Sequence, residues 1–316
     1  MKTPTTSLQG QQRAVAGRCA GGYANDPARG RRGPCTPPTS ARAFSLIEIL
    51  VVVGLLSVII LGLVAMFGQT QRAFRTGLAQ SDVLEAGRAA ADFLARDVAQ
   101  TRPSFLPGVT NFHAWIPLQT PLKQNLPGGA QQRTNFLMDL FFLSRENQRW
   151  TATGYTVRDA KDPTQRPADG VGTLYRYAAE NLLPENLGGQ ADLFLWINQT
   201  NFSRVADGVV HFRVRAFDPN GNWITNELPN NLNFHKSDVR WSTLLPGEIG
   251  LYVFKSNAVP AALEIELGFL EVRAWERLRA MPNATLRMDR LREEAGRVHI
   301  FRQRVTIPAV ETQAYQ

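Results

Sequence analysis

The chain has 316 residues, of which 44% are hydrophobic and 20% are charged, a globular composition that excludes a wholly disordered protein. The net charge of +8 would suit a nucleic-acid-binding protein, but residues 1–43 hold seven basic residues and one acid. The rest of the chain therefore carries only about +2. The basic charge belongs to the N-terminal segment, so we expect no nucleic-acid partner for the remainder.

Both cysteines, Cys19 and Cys35, lie in this same segment. They have no histidine near them, whereas a structural zinc site needs about four ligands at close spacing. No apolar run precedes Cys19, which excludes a lipoprotein signal. Residues 44–316 contain no cysteine, so disulfides cannot hold that part together and it has no thiol nucleophile.

The segment from Phe44 to Phe67 is strongly apolar and contains a single charge, Glu48. As an α-helix its 24 residues would be about 36 Å long, against about 30 Å for the hydrocarbon core of a bilayer. We therefore expect residues 44–67 to span a membrane once. The basic segment 1–43 predicts a cytoplasmic N-terminus, with residues 68–316 outside the cytoplasm.

Glu48 is the unusual residue of this span, because a carboxylate inside a membrane helix costs about 2.5–3.5 kcal/mol on insertion scales. In one interpretation it lies near the cytoplasmic surface, hydrated among the lipid head groups. In the other it pairs with a positive charge supplied by another chain. Spacing alone does not decide between them.

Residues 43–48 read AFSLIE and precede the aliphatic run, which resembles the signal of type IV prepilins. In that family prepilin peptidase removes a basic leader at the cytoplasmic face, the new N-terminus is methylated, and the fifth mature residue is a glutamate. The resemblance implies cleavage between Ala43 and Phe44, N-methylation of Phe44, and Glu48 as the assembly glutamate. The residue before the cut is usually glycine in the family and is alanine here.

The helical pattern continues through residues 68–102, with an apolar stripe of Leu84, Ala91, Leu94 and Val98. We expect an ion pair between Asp92 and Arg96, and a helix end at residues 101–103, which read TRP. Residues 91–100, which read ADFLARDVAQ, resemble the region after the span in J-type minor pseudopilins. The absence of proline between residues 44 and 102 favours a minor over a major subunit within this family.

Residues 103–135 are rich in proline and glycine and predict a long loop. Alternation and apolar runs predict strands in the remainder; these cover Phe136–Leu143, Tyr155–Val157, Leu174–Ala178, Leu193–Ile197, Val209–Phe217, Ile249–Phe254, Leu263–Val272 and Val298–Ile307. In the fifth of these, Val210, Phe212, Val214 and Ala216 should share one face. The last strand loses strict alternation, which predicts a bulge, and residues 274–295 predict a helix broken at Pro282.

Residues 205–223 and 259–267 resemble the core of J-type pseudopilins, and the overall layout is similar to prepilin-type proteins of Verru_Chthon cassettes. The resemblance implies an α+β, pilin-like fold, in which a long N-terminal helix packs on a mostly antiparallel sheet. We divide the chain into a leader (1–43), a membrane half of the helix (44–67), its outer half (68–102) and a β-rich head (103–316).

No arrangement of residues predicts an enzyme or a metal site. The four histidines, His113, His211, His235 and His299, are far apart and form no metal-binding or catalytic motif. Residues 218–221, which read DPNG, could suggest a calcium loop but lack its further acids, so we favour a turn between strands. Aromatic residues beside arginines (residues 149–150 and 175–177) could stack on nucleic acid, but we interpret them as core strand residues.

We therefore expect a minor pseudopilin, a non-enzymatic subunit that initiates or caps a short pseudopilus in type II secretion or a related system. Its partners would be prepilin peptidase, other pseudopilins and the inner membrane, and no cofactor is expected. One alternative is a minor subunit of a type IV pilus, with adhesive or DNA-binding ability. Another is a membrane-anchored enzyme that acts outside the cytoplasm.

Overall fold

The computed structural model describes residues 45–117, 121–128, 131–187, 202–225, 238–245 and 248–315. Two expectations, the cleavage site and the strand Leu193–Ile197, lie outside the described residues. The chain divides into two compact units, residues 1–62 and 63–316.

One long helix, α1, runs from Leu46 to Ala99. Its most apolar 18-residue window has a mean hydropathy of 3.1, and in the described part of the chain it is the one helix long and apolar enough to cross a membrane. The helix ends where it was predicted to end, because the hydroxyl of Thr101 donates a hydrogen bond to the carbonyl of Val98 (2.6 Å) just before Pro103.

The described part of the second unit contains eleven strands, two further α-helices and three short 3₁₀ helices. The strands and α-helices are β1 (Leu106–Trp115), β2 (Leu122–Asn125), β3 (Gln132–Asn135), β4 (Asp139–Glu146), β5 (Arg149–Arg158), β6 (Gly172–Asn181), β7 (Ser203–Phe217), β8 (Val239–Leu245), β9 (Glu248–Ser256), β10 (Ala262–Leu270), α2 (Val272–Ala280), α3 (Ala284–Glu293) and β11 (Val298–Thr306). Nine strands form one curled sheet in the order β11-β10-β7-β6-β5-β4-β1-β9-β8, and β2 and β3 form a separate hairpin.

Every pair of neighbouring strands in the large sheet is antiparallel. The predicted α+β class is therefore confirmed, with the C-terminal part of α1 packed on a mostly antiparallel sheet. This arrangement is loosely compatible with a pilin-like fold.

The buried stripe of α1 differs in part from the predicted one. Its members are Val83, Gly87, Ala90, Ala91, Leu94, Ala95 and Val98. Leu84 is 43% exposed, so its predicted place in the stripe is wrong; one residue corresponds to a rotation of about 100° around the helix. Gly87 is required because the ring of Phe301 occupies the place where its β-carbon would be.

A bulge changes the predicted face of β7. Val209 pairs with Phe269 and His211 pairs with Gly268, which leaves Val210 as an extra residue. Val209 therefore joins Phe212 in the core that contacts α1, while Val210 packs in the separate cluster beneath α2. The prediction that Val210 and Phe212 share a face is wrong for this reason.

The bulge predicted in the last strand is absent from the described pairing. The register between β10 and β11 is unbroken from Ala262–Thr306 to Leu270–Val298. Strand β11 lies at the edge of the sheet, and Ile300 on it is 40% exposed. The irregular order of apolar and polar residues in β11 thus reflects partial exposure of both faces of the strand. It does not come from an extra residue.

The predicted loop over residues 103–135 is wrong, because this region contains β1, β2 and β3. Strand β1 takes up Pro107 and Gly108 at an irregular end, where its register with β9 shifts. Phe112 and Ala114, farther along β1, are fully buried in the core. Tertiary burial thus outweighs the local preference for a loop.

The predicted break at Pro282 is confirmed, since α2 ends at Ala280 and α3 begins at Ala284. The side-chain oxygen of Asn283 accepts a hydrogen bond from the backbone N–H of Thr285 (2.8 Å) and caps α3.

Candidate functional site

The start of α1 carries the one predicted assembly residue that the structure describes. Glu48 lies exposed in the first turn, and among the described residues it has no ion-pair partner. Its backbone N–H donates a hydrogen bond to Ser45 Oγ (3.2 Å), the spacing of a helix-capping box. Ala43 and Phe44 lie outside the described residues.

The following part of α1 presents apolar side chains around its whole circumference. From Leu46 to Phe67 every large hydrophobic residue is at least half exposed. At Gly54 and Gly62, the place that a β-carbon would take has no neighbouring atom within 4 Å. A helix that is apolar all round requires lipid or other apolar helices as its surroundings.

The last turns of α1 are fastened to the sheet by Asp97. Its Oδ2 atom accepts hydrogen bonds from the Tyr155 hydroxyl and from Nε of Arg176, both at 2.7 Å. Burial and the neighbouring Asp97 carboxylate raise the pKa of Tyr155, so its hydroxyl keeps the proton that it donates. The predicted Asp92–Arg96 ion pair is not formed between these two described residues.

The sequence pattern does not distinguish Asp97 from its neighbours, although Asp97 lies within the segment that resembles J-type minor pseudopilins. Asp92 and Asp97 differ by five residues and therefore point in different directions from the helix axis. Only the position of the sheet decides which one finds a partner.

A groove of about 890 Å³ lies beside the buried stripe of α1. We call it the helix groove; it is lined by Asp82, Val83, Ala86, Ala89, Ala90 and Phe93 of α1, by Arg176, Ser203, Arg204, Val205, Ala206 and Asp207 of β6 and β7, and by Phe269, Leu270 and Val272. Its alanines leave room for another side chain to approach α1. Arg204 and Asp207 form an ion pair at its rim.

A charge ladder joins the polar sides of β7, β10 and β11 to the start of β9; it is defined by Arg213, Arg215, Glu248, Glu264, Glu266 and Arg302. Three contacts of 2.6 Å hold it together: Arg213 with Glu248, Arg215 with Glu264, and Arg302 with Glu266. Each of the three arginines pairs with a carboxylate, so the ladder has no net charge. It therefore offers no excess of positive charge to bind an anion.

His211 completes the ladder as a neutral side chain. Its Nδ1 accepts a hydrogen bond from the backbone N–H of Phe136, with an N–N distance of 3.2 Å. The ring proton therefore lies on Nε2, which is 3.2 Å from Glu266 Oε2. Burial lowers the pKa of His211, in agreement with the neutral form. Burial alone would raise the pKa of Glu266, but the His211 hydrogen bond and the Arg215 charge outweigh it and lower this pKa to about 2.

The structure describes two of the other three histidines, His113 and His299. Burial lowers the pKa of His113 to about 4, against the opposing effect of Asp139. His299 lies 3.6 Å from Glu271, and His235 lies outside the described residues. Among the residues with described positions, no group of three or more His, Cys, Asp or Glu side chains is placed to hold a metal.

The segment 218–221 forms a turn. The two carboxylate oxygens of Asp218 accept hydrogen bonds from the backbone and side-chain N–H groups of Asn222, at 2.7 and 3.2 Å. Gly221 has φ +84°, which favours glycine. The aromatic residues beside arginines are strand residues with buried rings, as expected for Trp150, Tyr175 and Tyr177.

The described geometry thus combines a helix with an exposed apolar first part, a firmly docked last part, and an open groove between helix and sheet. No protein-family model matches the chain, and no curated protein sequence or solved structure is significantly similar to it.

Proposed function

We propose that the protein is a prepilin-type minor pseudopilin, a non-enzymatic structural subunit in the initiation or tip complex of a type II secretion-like pseudopilus. The observation that carries this proposal is the AFSLIE motif at the start of an uninterrupted 54-residue helix, α1. The apolar first part of that helix suits a membrane before assembly and other apolar helices afterwards.

The proposed assembly contact is electrostatic. After cleavage between Ala43 and Phe44, the methylated amino group of Phe44 is a cation within an apolar helix bundle. The Glu48 carboxylate of a neighbouring subunit neutralises it and sets the axial register, because an unpaired buried charge costs about 3–5 kcal/mol. The exposure of Glu48 in the single chain supports this role, since it leaves the carboxylate available.

The head domain contributes the surfaces that select neighbours. The hydrogen bonds of Asp97 with Tyr155 and Arg176 attach the last turns of α1 to the sheet, so that a partner bound to these turns would also lie against the head. The helix groove is the concave surface next to this attachment. We place the protein in the inner membrane, with a cytoplasmic N-terminus before processing and the head outside the cytoplasm.

The first test is the mass of the mature N-terminus. In cells with active prepilin peptidase we expect the membrane form to begin at methylated Phe44 and to lack Cys19 and Cys35. Replacing Ala43 by leucine should block cleavage by crowding the small-residue position. An intact chain that begins at Met1 in such cells would contradict the proposal.

The second test is incorporation into the complex. Glu48→Ala should leave processing intact and reduce co-purification with partner pseudopilins, since the neighbouring amino group loses its counter-charge. Glu85→Ala is the matched control, because Glu85 is also exposed on α1 but lies beyond the apolar run. Equal recovery of partners by both variants would show that Glu48 has no pairing role.

A further inference from the structure

Helix α2 contacts α1 close to the end of the apolar run. The guanidinium of Arg273 donates a hydrogen bond from Nη2 to the backbone carbonyl of Arg75 at 2.9 Å. Arg75 follows Phe67 by eight residues, which is about 12 Å of helix. The head-group layer is about 5–7 Å thick on each side of a bilayer, and charges act over a further 8 Å or so at physiological salt. Arg273 is therefore held within reach of head-group charges.

Four arginines form what we call the basic patch: Arg72 and Arg75 on α1, and Arg273 and Arg277 on α2. All four are exposed, and Nε of Arg277 donates to the carbonyl of Arg273 at 3.2 Å. Between Ile49 and Ser81 the sequence has no acid, and the exposed acid on α2 is Glu276. The patch therefore has an excess of positive charge.

The basic patch differs from the charge ladder in its pairing. Each arginine of the ladder lies against a carboxylate, whereas none of the four patch arginines forms an ion pair with another described residue. Arginines left without counter-charges on one surface are matched by an external surface of negative charge.

Exposed apolar residues lie beside the patch, as at a membrane interface. Phe74 and Leu78 of α1 are 68% and 51% exposed. The opposite side of α2 is buried through Ala274, Trp275 and Leu278, which attaches this helix rigidly to the head. Aromatic and basic residues together are typical of segments at the level of lipid head groups.

We propose that the basic patch binds the phosphate groups of anionic phospholipids, in the leaflet on the side of the head domain. The bound lipids would hold α2, and through it the head, close to the membrane surface. This inference rests on the membrane anchorage in the proposed function, and it assigns a lipid-binding role to α2 that the pairing of Phe44 and Glu48 does not require.

The test uses the full chain in nanodiscs of phosphatidylcholine alone or mixed with phosphatidylglycerol. Hydrogen exchange is measured on backbone amides of residues 272–281. We expect exchange to be slower in the anionic discs by on the order of tenfold at low salt, and this difference to shrink at high salt. Arg72→Gln combined with Arg277→Gln should remove most of the difference.

Two control variants separate charge from folding. Arg72→Lys with Arg277→Lys keeps the charge and should keep the lipid dependence. Arg145→Gln with Arg149→Gln removes two exposed charges from the β4–β5 hairpin, near the opposite end of α1, and should leave it unchanged.

Equal exchange in both lipids, or an undiminished lipid effect in the glutamine variant of the patch, would overturn the inference while leaving the membrane anchor intact. Failure of the chain to enter either kind of disc would contradict the anchor itself, and the inference with it.

Discussion

The two ends of α1 belong to one continuous helix but have opposite surroundings. In the stretch Leu46–Phe67 large apolar side chains are exposed on all sides, whereas between Val83 and Val98 a narrow stripe is buried against the sheet. The first part carries apolar side chains on every side of the helix. In the second part, the buried apolar stripe shares the helix with exposed or half-buried charged residues such as Asp92 and Arg96. Both parts form a helix, so the comparison separates helix formation from packing. The distribution of apolar residues around the helix axis determines whether a part packs on the sheet through one stripe or needs an apolar environment on all sides.

If the docked part depends on its core, truncation of a central residue should have the largest effect. Phe212→Ala should lower the free energy of unfolding by about 3–5 kcal/mol, because its fully buried ring leaves a cavity between α1 and the sheet. Urea denaturation of the full chain in detergent measures this. Phe74→Ala is the control, since Phe74 is mostly exposed on α1; a similar loss in both variants would contradict the division into exposed and docked parts.

The attachment through Asp97 should contribute next. Asp97→Asn should cost about 2 kcal/mol, because the amide cannot accept both donors as well as the carboxylate does and the buried Tyr155 hydroxyl loses its anionic partner. Asp92→Asn, which removes a carboxylate without such contacts from the same helix, should change stability by less than about 0.5 kcal/mol. Thermal unfolding of both variants measures the two stability losses. A larger loss for Asp92→Asn would contradict the attachment through Asp97 and favour the Asp92–Arg96 ion pair expected from the sequence.

Two glycines of α1, one docked and one exposed, should respond to alanine substitution with stability changes of opposite sign. Gly87→Ala should destabilise the protein by about 1–3 kcal/mol, because the new β-carbon meets the ring of Phe301. Gly77→Ala should stabilise it by roughly 0.5–1 kcal/mol, because Gly77 has open space and alanine favours a helix. In a protein that already carries Phe301→Ala, the ring is gone and Gly87→Ala should no longer destabilise. Its effect on the free energy of unfolding should then approach that of Gly77→Ala. If both glycine variants are stabilised alike, the close packing of α1 on β11 is wrong.

Removing the exposed apolar part of α1 should have the smallest effect on the docked part. A fragment 72–316 should fold, with an unfolding free energy within about 0.5 kcal/mol of the full chain, because the buried stripe from Val83 to Val98 remains. Near-ultraviolet circular dichroism and urea titration measure this. A fragment without a cooperative transition would show that the apolar part stabilises the head directly.

The sequence alone was sufficient where the physical signal is local. The length of α1 and its end follow from an unbroken apolar run, the absence of proline and the stop at residues 101–103. The alternation that begins at Leu263 predicted β10, since a period of two is a property of the strand itself, but the predicted strand extended to Val272, where α2 begins. The AFSLIE motif likewise required no structure to be recognised, and its processing stays a prediction.

Only the tertiary structure decided features that depend on what lies across the sheet or beside the helix. The strand β1, the bulge at Val210 and the exposure of Leu84 each follow from the position of a neighbour that sequence spacing does not specify. The same holds for Asp97, which has partners on the sheet, whereas Asp92 forms no ion pair with another described residue. It also holds for the basic patch, whose two helices are about 200 residues apart in the chain. Local sequence determines the elements and their faces, but long-range packing determines which face meets which partner.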